Sequence, residues 1–465
     1  MIEYINDNPV KMLFFFFLLS GGLSFITLNL KNPKRLFFFL IFYIPLSFTS
    51  ASGCLAVYLA IILYLWSIYY KIESKPAGLQ IDIILVYMIL IACVFSFFNT
   101  EIVTPFFKDA GKIRITPDFL VIIVMFSNIS IYVMVKKFII SKNDLVKAVK
   151  FMVISGSVAS IVGYLQWLAH GNVSVFKYIV FSENSVWQRR VAATMQGYEM
   201  LAEYTAILIV FTIMLYFLAE KRWHKVLYFF LSINFLIIMT LTQTRGIYIA
   251  IGLSIIYFAG ILFVTGRVKH GFKFAFASVT IIFLLICSIY IIDQLRTDSI
   301  FIDRFGKFTE NVNIKKGEYG SRTEVWQAGA DVIGRMSFGE KLFGTGFKFL
   351  PSSTNSSQVI KKAFWPHCLY LSYIIRDGFI GLALFIFFLA WLYKKSLICF
   401  FRYRLVEDKQ LFFIGAGLHL ALIIFIIDEI KIEFIRTDRS QNIFWLLFGL
   451  IAVCSRLINQ NLKKD

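Results

Sequence analysis

The chain is 465 residues long and carries a formal net charge of +19. It is 58% hydrophobic and 16% charged, with a mean hydropathy of +0.74, whereas a soluble domain averages about 25% charged residues. This composition excludes an ordinary soluble enzyme. It does not point to nucleic-acid binding either, because the Lys and Arg residues sit in short segments between long apolar runs, the pattern of positive-inside topology signals.

About 20 apolar residues cross a bilayer. In chain order, the apolar runs predict helices over 11–30, 36–49, 53–70, 81–98, 119–140, 145–168, 200–218, 226–241, 246–264, 274–292, 369–393, 411–427 and 443–457. The second is the shortest. The fold class is an all-α integral membrane protein of about 12 (12–13) transmembrane helices. The first run is followed by Lys31, Lys34 and Arg35 rather than by a small-residue cleavage site, so it is not expected to be a cleaved signal peptide.

Basic turns at Lys221–Lys225, Arg267–Lys273, Lys394–Lys395 and Lys463–Lys464 belong on the cytoplasmic side. The segments 169–197, 294–366 and 428–442 then lie on the outer side. Thirteen helices place the N-terminus outside and twelve place it inside. The chain divides into N-terminal transmembrane helices (1–293), a large extracytoplasmic loop (294–366) and C-terminal transmembrane helices (367–465). The loop is too long for a simple connector. Within it Ser321–Ile333 reads as an amphipathic helix, with Val325, Ala328 and Val332 at helical spacing and Gly329 interrupting.

The six cysteines show no paired spacing, so neither a disulfide framework nor a zinc site is expected. P-loop, dinucleotide-binding and HExxH patterns are absent, as is an Asp cluster of the kind that holds a metal beside a nucleotide sugar. No metal and no cofactor are expected.

Four features fall at or near the outer surface. In Thr242-Gln243-Thr244-Arg245-Gly246, Arg245 opens a helix, where exposed N–H groups, the helix dipole and a guanidinium together suit a phosphate. An arginine at that depth also simply snorkels to the interface. Ser321-Arg322-Thr323-Glu324-Val325-Trp326 places Arg322 near the start of the loop helix, where a surface ion pair with Glu318 or Glu324 is the plainer account. His367, in Trp365-Pro366-His367-Cys368, stands where the next helix begins and is a candidate general base, or a boundary residue bonded to a loop carbonyl. The run Asp428-Glu429-Ile430-Lys431-Ile432-Glu433, continuing to Arg436, Asp438 and Arg439, binds sugar hydroxyls or forms a solvated turn; the solvated turn is the expectation for most of its residues.

These pieces recur in one order: TQTRG opening a helix, SRTEVW, LFGTGF, a His opening a helix, and Arg376-Asp377-Gly378-Phe379-Ile380-Gly381. Upstream lie Arg190-Val191-Ala192-Ala193-Thr194 and Leu201-Ala202-Glu203-Tyr204. Over about 185–395 the chain resembles the bacterial O-antigen ligase and O-antigen polymerase family of membrane glycosyltransferases. It departs from that family at Cys368, where Asn is usual, and at Ala193-Thr194-Met195.

The resemblance implies a GT-C-like fold in the bacterial inner membrane, with the active site on the periplasmic face. It implies an undecaprenyl-diphosphate-linked oligosaccharide donor and, as acceptor, a lipid-linked repeat unit (polymerase, the first expectation) or lipid A core (ligase). Other polysaccharide-assembly proteins are expected partners beside the bilayer itself. Arg245 and Arg322 would bind the diphosphate, and His367 would accept the acceptor's proton with inversion. Arg190, Tyr204, Trp326 and Arg436 are further substrate-binding candidates. The competing classes are a flippase or exporter of lipid-linked glycan, which would carry key charges inside its helices near the midplane, and a non-catalytic scaffold with a recognition loop.

Overall fold

The computed structural model describes residues 29, 31–47, 49–50, 53–69, 81–99, 117–168, 190–195, 197–265, 322–346, 367–401 and 408–461. The expected helix 274–292, nearly all of 11–30 and much of the outer loop lie outside the described residues.

The helices are α1 (Pro33–Tyr43), α2 (Leu55–Tyr69), α3 (Ile81–Asn99), α4 (Pro117–Phe138), α5 (Lys142–Leu168), α6 (Tyr198–Leu218), α7 (Arg222–Leu241), α8 (Arg245–Val264), α9 (Arg322–Arg335), α10 (Phe338–Phe343), α11 (Leu369–Phe401), α12 (Lys409–Asp428) and α13 (Asp438–Asn461). Eight of them are long and apolar enough to cross a membrane, and the chain is a multi-pass membrane protein. Helices α2 and α3 are apolar but shorter in their described parts. Over 36–49 the helix stops early. Ile44 precedes Pro45, which disfavours helical backbone before it, and α1 gives way to a single 3-10 turn, Ile44–Leu46. A two-strand hairpin follows, β1 (Thr49–Ser50) antiparallel to β2 (Gly53–Cys54).

Helix α13 is the central post. Almost all its side chains are buried, and it packs on α4, α11 and α12. An aromatic cluster fills that junction: Trp445 stacks on Phe388 at 5.4 Å, and Tyr132 meets Trp445 edge-on at 6.2 Å. Helix α6 is enclosed by α7 and α12. Helices α7 and α8 are peripheral and expose Phe229, Phe230, Ile249, Ile256 and Phe263, the apolar face that lipid contact requires.

One end of the bundle is basic and well paired. Lys34 meets Asp144 at 2.8 Å, Lys142 meets Asp408 at 3.0 Å, and Lys136 pairs with the buried Asp82. Arg456 donates to the carbonyls of Lys136 and Ile139 at 2.9 and 2.7 Å, capping the open end of α4. The opposite end carries the segments 190–195, 242–244, 367–368 and 429–437.

The segment 294–366 contains the expected amphipathic helix as α9, followed by α10. Ser337 and Glu340 form a reciprocal capping box at the start of α10, a pattern written plainly as Ser-x-x-Glu. Helix α11 runs further than the expected 369–393 and is broken at Gly378, which adopts φ 71°.

Candidate functional site

Helix α7 ends at Leu241, and the turn Thr242-Gln243-Thr244 leads into Arg245, the first residue of α8. Gln243 takes φ 55°, a left-handed backbone that costs a non-glycine residue free energy. Arg190 holds this turn. Its Nε donates to the Thr242 carbonyl at 2.8 Å, and its terminal nitrogen donates to the Gln243 carbonyl at 3.2 Å and the Thr244 hydroxyl at 3.1 Å. The guanidinium lies 3.2 Å over the Tyr198 ring. These contacts place Arg190 as a brace of the turn that presents Arg245. Ala193, also left-handed at φ 48°, is fixed by Gln166, which accepts from its amide and donates to its carbonyl, each at 2.8 Å.

Arg245 and Gly246 sit half-buried in the first turn of α8. A Cβ on Gly246 would lie 2.1 Å from Cδ and Cε of Lys431 and 2.4 Å from its Nζ, so a side chain there would displace that lysine. The Lys431 ammonium therefore crosses the start of the helix that Arg245 opens. It is also 2.6 Å from an Asp428 carboxylate oxygen.

Two residues back along the same link, the Glu429 carbonyl accepts the Leu369 amide at 3.0 Å. Residues two apart span at most about 7 Å. The link thus contacts both the start of α8, which Arg245 opens, and the start of α11, which follows His367. His367 takes φ 48°. Among the described residues the left-handed non-glycine positions are Ala193, Gln243 and His367, all at this end and all in the motif segments. The His367 carbonyl accepts the Trp326 indole N–H of α9 at 3.4 Å, a long bond that ties the outer-loop helix to the same point. Burial raises the pKa of the Cys368 thiol above its ordinary value, so this cysteine is a poor nucleophile.

The outer loop is fastened below His367 as well. At the break in α11 the freed Ile375 carbonyl accepts the Thr345 amide at 2.8 Å and the Thr345 hydroxyl at 3.0 Å, and the Arg376 carbonyl accepts the Gly346 amide at 3.0 Å. A Cβ on Gly344 would lie 2.0 Å from the Arg376 carbonyl oxygen. A Cβ on Gly378 would lie 2.2 Å from that of Leu342. Glycine is required on both sides of this contact. Arg376 is fully buried and is neutralised by its neighbour Asp377.

The structure therefore brings Arg245, His367 and Trp326 to one end together with Lys431, Glu429 and Glu203. Tyr204 faces elsewhere: its hydroxyl donates to the Met152 carbonyl of α5 at 3.1 Å, and the ring is core. Arg322 begins α9 and Arg436 closes the 3-10 turn Phe434–Arg436, but both side chains lie outside the described residues. The link 428–439 is not a solvated turn. Asp428, Glu429, Glu433 and Arg439 are all buried, because the link folds down between the helix ends rather than over them. Among the described residues no group of His, Cys, Asp and Glu side chains is arranged to hold a metal ion.

A family model described as O-antigen ligase matches residues 227–386. Over that stretch the chain is similar to the O-antigen ligase family. The matched stretch runs from α7 to just past the break in α11, and so contains Arg245, Arg322, Trp326 and His367. Arg190, Glu203 and the 428–433 link stand outside it. No curated protein matches the chain. Two of the site's residues were given no individual role by the sequence: Lys431 appears there only within the charged run 428–433, and Glu203 only within the motif Leu201–Tyr204. Glu203 had a usable signal, an ionisable residue inside the apolar run 200–218.

Proposed function

We propose that this protein is an inverting, metal-independent glycosyltransferase of O-antigen or capsule assembly. It transfers a glycan from undecaprenyl diphosphate to a sugar hydroxyl at the periplasmic face of the bacterial inner membrane. The observation that carries the reading is that one link, through Lys431 and Glu429, contacts both the helix that Arg245 opens and the helix that follows His367. The family match supports it. In this reading the fold has about twelve membrane helices in a GT-C-like arrangement, counting the helices that the sequence predicts over 11–30 and 274–292.

In the reaction the acceptor hydroxyl oxygen attacks the anomeric carbon while the bond from that carbon to the diphosphate oxygen breaks. The diphosphate leaves with the electron pair, and the hydroxyl proton passes to the imidazole of His367. Arg245 and Arg322 meet the growing negative charge on the leaving group. Fixed donors of this kind are each worth about 3–4 kcal/mol of barrier, and a positioned base about 10²–10⁴-fold in rate. Trp326, tied to His367, offers an aromatic face to a sugar ring.

With a lipid-linked repeat unit as acceptor the enzyme is a polymerase, the first reading. With lipid A core as acceptor it is a ligase, and the description of the matched family favours that second reading. One experiment tests both. Arg245→Ala, Arg322→Ala and His367→Ala are introduced singly and surface polysaccharide is resolved by gel. Loss of long chains with single repeats still on lipid A core identifies a polymerase. Loss of all attachment with accumulation of lipid-linked polymer identifies a ligase. Normal polysaccharide in all three variants rejects the enzyme and leaves transport of lipid-linked glycan.

A further inference from the structure

Helix α6 carries an acid where lipid-embedded helices carry apolar residues. Glu203 is fully buried in its second turn, and its side chain faces Glu429, Asp428 and Lys431 of the link. Among the described residues, neither of its oxygens has a hydrogen-bond donor. Across from it, Glu429 is half satisfied: Oε2 accepts the Phe434 amide at 2.9 Å, while Oε1 has no partner among the described residues. Buried polar atoms are rarely left unmatched. An ionised carboxylate only accepts, but a protonated one also donates. One proton between them therefore joins one Glu203 oxygen to Oε1 of Glu429, and the bonds decide where it sits. Glu429 takes an amide N–H, which favours its charged form; Glu203 takes none.

We propose that Glu203 and Glu429 form a carboxyl–carboxylate pair sharing one proton, held on Glu203, and that Glu203 is thereby a positioning residue for the candidate site. The pair anchors the link to α6. The link in turn lays Lys431 across Gly246 and sets the Glu429 carbonyl on the Leu369 amide. Loss of the proton puts two carboxylates in contact without a donor, the arrangement that forces one member of a close acid pair to stay protonated. The charged and titratable groups around this point are Asp428, Lys431 and Glu433 on the link, Arg245 and Tyr248 at the start of α8, Arg190 before α6, and His367, Cys368 and Tyr370 at the start of α11.

Burial holds Glu429 well above the ordinary carboxylate range. The Asp428 and Glu433 carboxylates push the same way, and the Phe434 amide and Lys431 pull against them. A raised value means that the folded protein keeps a proton the unfolded chain has lost. The stabilisation is complete at acid pH and disappears as pH rises through the titration of the folded pair, which belongs to both residues together.

Infrared spectroscopy of the full-length protein in lipid reads the proton directly. The wild type should show the C=O band of a buried, protonated carboxylic acid, and Glu203→Gln should lose it. Glu429→Gln, which offers Glu203 an amide donor, should lose it too. This arm does not rest on the proposed glycosyltransferase function. The activity arm does: wild-type transfer should decline as pH rises and the pair loses its proton, Glu203→Ala should lose most activity, and Glu203→Gln, whose amide donates the same bond, should recover much of that loss and lack the alkaline decline. A wild type without the band, or a Glu203→Gln variant that retains it, overturns the pair. A Glu203→Gln variant as impaired as Glu203→Ala, with the alkaline decline intact, overturns the positioning role. The band with no glycosyl transfer by the wild type overturns the proposed function and leaves the pair standing.

Discussion

The two ends of the helix bundle treat charge in opposite ways. At the basic end each buried acid has a base beside it, as with Asp82 and Lys136, and open carbonyls are capped, as Arg456 caps α4. At the other end Glu203, Asp428, Glu429 and Glu433 crowd around Lys431, and the backbone is left-handed at Ala193, Gln243 and His367. A structural end spends its charges on neutralising itself. An end that keeps excess acid, strained backbone and cations at helix starts is organised around something besides its own stability.

The contrast predicts that substitutions at one end cost activity and at the other cost stability. The largest effect is expected from His367→Ala and Arg245→Ala. Each should lower glycan transfer about 10²-fold or more with little change in thermal unfolding, measured on purified protein with lipid-linked donor. Equal losses of rate and melting temperature would erase the contrast. Next, Asp82→Asn strands a buried Lys136 and should destabilise by about 3–5 kcal/mol, with activity per folded molecule preserved. Adding Lys136→Met should recover much of that loss in thermal unfolding in detergent.

Gly246→Ala and Gly252→Ala sharpen the comparison within a single helix. A methyl at 246 collides with Lys431, whereas a methyl at 252 meets nothing within 4 Å. Transfer should fall markedly in the first and stay unchanged in the second, where alanine should add up to about 1 kcal/mol of stability. The smallest effect is expected from Lys142→Ala. Its partner is Asp408 at 3.0 Å, but the lysine is half exposed, so unfolding should shift by no more than about 1 kcal/mol.

Much of this was legible in the sequence. Apolar runs located the helices because a bilayer permits few alternatives. The turn before Arg245, the amphipathic segment at Arg322 and the helix start at His367 were visible as local patterns. The rest depended on contacts distant in sequence. The acids of the link read as solvated because a run of charges has no local mark of burial; only packing against α6 and α8 encloses them. Arg190 read as a ligand for substrate, whereas the structure shows what it grips, the backbone of the Thr242–Thr244 turn. The break at Gly378 was hidden because Arg-Asp-Gly can continue a helix unless another backbone, here that of Gly344, occupies the space.

That contact between the Gly344 turn and the break in α11 also bears on how such a protein can vary. It clasps the outer loop to the membrane helix through backbone groups on both sides, indifferent to most side chains. The chain is thereby held to one helix at Gly346 and again at His367, on either side of 347–366. Between two fixed points of a chain, added residues cost free energy only as the logarithm of the length. Exchange of these residues should therefore alter what reaches the membrane surface while leaving Arg245 and His367 where they stand.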